Sequence, residues 1–210
     1  MFDIQRVLYT LPGILLGLTI HEFCHAYCAW KLGDNTAKDQ GRLTLNPIKH
    51  IDLLGLLFII LAGFGWAKPV QFDPGQLKNY RRDKALIAAA GPLSNMVIGI
   101  VLALIVKYVF IHFFINVLES EFLFSLINSL YIAAKINFGL FIFNLLPIPP
   151  LDGSHIVFSG LNIPVDLEEK IRKLGMPLLL IIIVIQNTAN ITIIPIGFLV
   201  EKIMKLITGF

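Results

Sequence analysis

From Val7 to Trp30 the chain carries no Lys, Arg or Asp, a 24-residue apolar run of the length that crosses a bilayer as one helix. A second such run, Ala85 to Val106, is bounded by Lys84 and Lys107, and a third covers Phe122 to Leu146 with Lys135 inside it. Between the first two, Leu53 to Gly65 is as apolar but only 13 residues long, too short to cross. Met176 to Ile207 is apolar again, broken by Gln186 to Asn190 and by Pro195. Polar ground is scarce: Lys31 to Asp52, where Gly41-Arg42-Leu43-Thr44-Leu45 alternates like a small strand between turn signals, and Leu161 to Gly175, which mixes acids and bases. The pattern predicts an all-α polytopic membrane protein of four to six spans. It reads as one integral-membrane domain over residues 1–210, with a small β-hairpin or re-entrant element beside the spans and a C-terminal hydrophobic segment at 175–207.

Composition agrees. The chain is 56% hydrophobic and 15% charged, which excludes an ordinary soluble domain. A net charge of only +3, with the bases gathered in loops, fits membrane orientation and excludes nucleic acid as a partner. Lys31, Lys38, Arg42 and Lys49 precede the short apolar run, and Lys68, Lys78, Arg81, Arg82 and Lys84 follow it. Cationic loops favour the cytoplasmic side, so both loops are expected there and the run between them should dip in and return. The connection from Lys107 to Glu121, poor in cations, is expected outside. Residues Gly63 to Val70, with glycines, Trp66 and an extended Lys68-Pro69 pair, are a candidate gate or docking edge for a substrate strand.

The chemistry lies in the first run, which is therefore expected to be retained and not cleaved as a leader. His21-Glu22-Phe23-Cys24-His25 is an H-E-x-x-H motif. On a helix, His21 and His25 share a face and can offer two imidazoles to one zinc ion, with Glu22 beside them as general base. A glutamate at that depth is costly enough in lipid to be functional. Cys24 and Cys28 share that helix and cannot reach disulfide geometry within it.

A catalytic zinc usually has three protein ligands. Asn144-Leu145-Leu146-Pro147-Ile148-Pro149-Pro150-Leu151-Asp152 supplies the candidate, because its prolines end the third helix at membrane depth and deliver one acid, Asp152. His155, just beyond, reads as a helix-start or loop residue. Asn95, in Gly91-Pro92-Leu93-Ser94-Asn95, lies level with the proposed metal; it bonds a neighbouring helix or shapes the site.

These three motifs together resemble the site-2 protease family of intramembrane zinc metalloproteases, over roughly residues 7 to 160. The resemblance implies a bundle around a three-helix catalytic core, zinc ligands His21, His25 and Asp152, and Glu22 as base. It also implies that Asn144, and with it Asn95, serves substrate positioning or the oxyanion. The chain looks like a short member, with no PDZ-like or CBS-like domain. The expected function is hydrolysis of peptide bonds in transmembrane protein or peptide substrates, with one Zn2+ per chain, in a multi-pass protein of the cell membrane whose site opens to the cytoplasm. The competing class is a zinc-binding membrane protein without catalysis, or a metal carrier.

Overall fold

The computed structural model describes residues 4–62, 65–189 and 192–209. Among them are eight α-helices, α1 (Ile4–Lys31), α2 (Thr36–Asp39), α3 (Leu53–Ala62), α4 (Tyr80–Glu119), α5 (Glu121–Asn144), α6 (Asp152–Gly160), α7 (Val165–Thr188) and α8 (Ile196–Thr208), with two short 3-10 turns at Pro47–Lys49 and Pro74–Gln76. Three of them, α1, α4 and α5, contain stretches long and apolar enough to cross a membrane, so the chain is a multi-pass integral membrane protein.

These three helices pack on one another as the core. α1 and α5 run parallel, since Gly13 lies against Ala133 and Gly17 against Asn137, while α4 runs opposite to both, with Asn95 bonded to Gly17 and Ile87 to His25. Ala103, Ala133 and Ala134 let the backbones approach closely, and Leu102 and Phe138 fill the space between. Val200 and Met204 of α8 complete that cluster. The C-terminal hydrophobic segment at 175–207 is thus divided between the second half of α7 and the amphipathic α8. Helix α8 closes the bundle. It answers two cations of the core: Lys135 pairs with Glu201, and Lys107 Nζ donates to the Ile207 carbonyl at 2.9 Å, a cation at a helix C-terminus.

Two elements differ from the sequence expectation, and a third agrees with it. Helix α4 does not end near Val106 but continues to Glu119 through a break at Phe113 (φ −128°, ψ 23°), so the expected outer connection is mostly helix. Gly41 to Leu45 forms no strand, because no second strand lies beside it and Arg42 turns inward to bond the Lys68 and Pro69 carbonyls. The re-entrant reading suits the next segment: after α3, Ala67 pairs with Ile51 and Lys68 N–H donates to the His50 carbonyl at 2.9 Å, so the excursion returns to its starting point. Gly63 and Phe64 of the candidate docking edge lie outside the described residues.

Candidate metal centre

His21 and His25 are one helical turn apart on α1, and both are buried. The prolines of residues 147–150 end α5 and turn the chain so that Asp152, in the first turn of α6, faces the two rings. Asp152 Oδ2 lies 3.1 Å from His21 Nε2 and 3.4 Å from His25 Nε2, and the two Nε2 atoms are 3.0 Å apart.

The outer nitrogens decide what these contacts are. His25 Nδ1 lies 2.7 Å from the Ile87 carbonyl, which can only accept, so Nδ1 carries the proton. His21 Nδ1 lies 2.6 Å from Asn95 Oδ1, with the same result. In neutral rings both Nε2 atoms then turn lone pairs toward each other and toward a carboxylate oxygen that is buried and accepts no other hydrogen bond. Three donors this close together fit a shared cation. Tetrahedral zinc, about 2.0–2.1 Å from each ligand, would set the donors about 3.3 Å apart, close to what is found. This trio is the one group among the described residues able to hold a metal ion.

Gly91 of α4 makes the space. A Cβ there would fall 2.4 Å from His25 Nε2 and 2.6 Å from His21 Nε2, on the metal-facing atoms themselves. Glycine is needed here for the approach of α4 to the rings.

Glu22 is 7% exposed and is held from the other side. Its Oε2 accepts the Val70 N–H at 2.9 Å and lies 4.0 Å from Arg42 Nη2. Arg42, buried in turn, donates to the Lys68 carbonyl at 2.6 Å and the Pro69 carbonyl at 3.4 Å. His50 backs it, 3.5 Å from Arg42 Nη2 through Nδ1, with Nε2–H donating to the Thr44 carbonyl at 2.7 Å. Burial pushes the His50 imidazole below its ordinary value, and the Arg42 charge adds to the shift. The extended segment 68–70 thus has its backbone groups on this side engaged by the chain itself.

The other candidates are placed as follows. Asn95 spends both Nδ2 hydrogens on the Gly17 carbonyl and Asn137 Oδ1. Asn144, level with the histidines by the α1–α5 register, donates one Nδ2 hydrogen to the Leu140 carbonyl at 3.0 Å. His155 stands apart, 3.7 Å from Glu168, which pairs with Lys84. Cys24 and Cys28 are free thiols. Arg42 and Asn137 carried no motif, and the one signal for them was the cost of a buried polar group; Val70 lay in the candidate docking edge, and its backbone N–H turns out to hold Glu22.

The profile of Peptidase family M50 matches residues 9–186. The chain belongs to this family. Among relatives, the "Putative zinc metalloprotease YwhC" of Bacillus subtilis (strain 168) is 42% identical over 164 residues, 74% of this chain and 70% of the relative. The "Putative zinc metalloprotease Rip2" of Mycolicibacterium smegmatis is 31% identical over 157 residues, 72% of this chain and 57% of its own length. Its namesake in Mycobacterium tuberculosis (strain H37Rv) is 32% identical over 150 residues, 68% of this chain and 53% of the relative. No solved structure matches. The M50 peptidases are the site-2 protease family, so a zinc metalloprotease is the assignment that the family supports.

Proposed function

We propose that this chain is an intramembrane zinc metalloprotease that hydrolyses peptide bonds within membrane-embedded segments, holding one zinc per chain on His21, His25 and Asp152. The observation that carries this reading is the meeting of two histidine Nε2 atoms, on rings that donate through Nδ1, with a carboxylate oxygen that has no other partner. They meet inside the bilayer, because His21 lies ten residues before Lys31, about 15 Å along the helix and half of a roughly 30 Å core. A single ligand cluster among the described residues favours a fixed reaction centre over passage of ions between stations.

When bound, zinc supplies Lewis acidity toward a water molecule and the scissile carbonyl. Glu22 does the proton work. With Oε2 engaged by the Val70 N–H, Oε1 takes a proton from the attacking water and returns it to the leaving amine nitrogen as the C–N bond breaks. Arg42 and Val70 keep the carboxylate pointed at the centre. Asn144 keeps a second Nδ2 hydrogen for a substrate carbonyl or the developing oxyanion. The cationic loops beside α1 and α4 support an opening of the site toward the cytoplasmic side of the cell membrane.

Purified chain in detergent with a transmembrane substrate tests this. Glu22→Gln is expected to retain about one zinc per chain and cleave nothing, and Asp152→Ala to lose both metal and cleavage. Full activity in Glu22→Gln would remove Glu22 as the base.

A further inference from the structure

We infer that Asn137 of α5, acting through Asn95 of α4, is a positioning residue that fixes the His21 ring with its proton on Nδ1 and thereby sets the affinity of the centre for zinc. The inference rests on the metal-centre reading above and extends it to a third helix.

Two backbone carbonyls fix the direction of every bond in the chain. The Ala133 carbonyl can only accept, so the Asn137 atom 2.8 Å from it is Nδ2, and Oδ1 is left facing Asn95. The Gly17 carbonyl can only accept, so the Asn95 atom 3.1 Å from it is also Nδ2, whose second hydrogen goes to Asn137 Oδ1 at 3.0 Å. Asn95 cannot flip without facing Gly17 oxygen to oxygen. Its Oδ1 is therefore held toward His21 Nδ1 at 2.6 Å, where it accepts a hydrogen and cannot donate one.

Both amides are fully buried between apolar helices, where an amide without partners is costly. Simple helix association would be met by the two amides bonding each other. Here the chain instead has one polarity from α5 to α4 to α1 and ends on a metal-facing ring. Gly17 makes room for it, since a Cβ there would lie 2.9 Å from Asn137 Oδ1. Partners behind a ligating histidine fix its tautomer and ring orientation, and losing them typically weakens metal binding by on the order of 10- to 100-fold.

The test compares zinc affinity, by competition with a chromophoric chelator, for the purified full chain and for Asn137→Leu and Asn137→Asp. Asn137→Leu removes the acceptor for Asn95 and is expected to weaken zinc binding by on the order of 10- to 100-fold. Asn137→Asp, which as the protonated acid favoured in this apolar setting donates its hydroxyl to the Ala133 carbonyl, keeps an oxygen toward Asn95 and is expected to bind zinc nearly as the parent does. A packing role predicts the reverse order, because leucine suits an apolar helix interface and a carboxylic acid does not; that order, or parental affinity in Asn137→Leu, overturns the inference. A second measurement needs no folded Asn137 variant. In zinc-free parent protein with 15N-labelled histidine, the His21 ring, recognised by its loss in His21→Asn, is expected to carry a proton on Nδ1, and a bare Nδ1 overturns the proposal. Weakened zinc binding in Asn137→Leu together with no cleavage by the parent would sink the protease reading alone. A parent that binds no zinc sinks the metal centre and the affinity claim with it, and the ring measurement then decides the tautomer.

Discussion

His21 and Glu22 are neighbours on one helix, yet they are held by opposite kinds of structure. The histidines are gripped by other long helices: His25 by the Ile87 carbonyl of α4, and His21 by Asn95 of α4, with Asn137 of α5 behind it. Glu22 is gripped by irregular chain, through the Val70 N–H and through Arg42, which itself hangs on the carbonyls of residues 68 and 69. A helix bundle moves little, whereas a loop tied by a few hydrogen bonds opens at low cost. The histidine side is therefore built for permanence, and the Glu22 side can rearrange at lower cost.

Damage to the helical side should remove metal and activity together, and damage to the loop side should remove activity alone. The largest effect is expected from Gly91→Ala, whose methyl group would sit on both Nε2 atoms. Zinc should be lost, and cleavage should fall by more than about 10²-fold, since even a 1 Å displacement of a reacting group can cost that much. Metal analysis beside a cleavage assay checks it, and a zinc-loaded, active variant would break the comparison.

A smaller effect is expected from Arg42→Leu. Glu22 loses the cation beside it and the loop that holds it loses a donor to two carbonyls; if about 1–3 kcal/mol of that reaches the transition state, kcat/KM should drop by about 10- to 100-fold while zinc content stays at the parental level. Loss of zinc in this variant would show that the two sides are not independent.

The smallest is a pH effect from His50. Its imidazole is depressed in the folded protein, so as pH falls through the ordinary histidine value near 6.5 the unfolded chain takes up a proton that the folded one resists. Stability that is intact above that value should decline from there toward pH 5, and the decline should flatten in His50→Gln. Thermal unfolding of the detergent-solubilised chain at stepped pH measures it.

Much of this centre was legible along the chain, because its decisive spacings are local. His21 and His25 one turn apart, and a proline cluster that must end a helix just before Asp152, are read without knowing what packs on what. Contacts between elements were not legible in the same way. Nothing near Arg42 in sequence announces that it will bond residues 68 and 69, and the alternation from Arg42 to Leu45 imitates a strand that has no partner. Asn137 sits in an apolar helix with no motif around it, and its meaning depends on the register of α5 against α1. Helix α4 outran its expected end because Lys107, read as a boundary, is instead taken up by the α8 carbonyl terminus.

The pairing of Ile51 with Ala67 closes the α3 excursion at its neck. Residues 53–62 thus hang from a neck that is closed by backbone pairing independent of their side chains. Chimaeras that exchange residues 53–62 with those of a relative should therefore remain folded and metal-loaded, with Glu22 still held by the chain just beyond the neck.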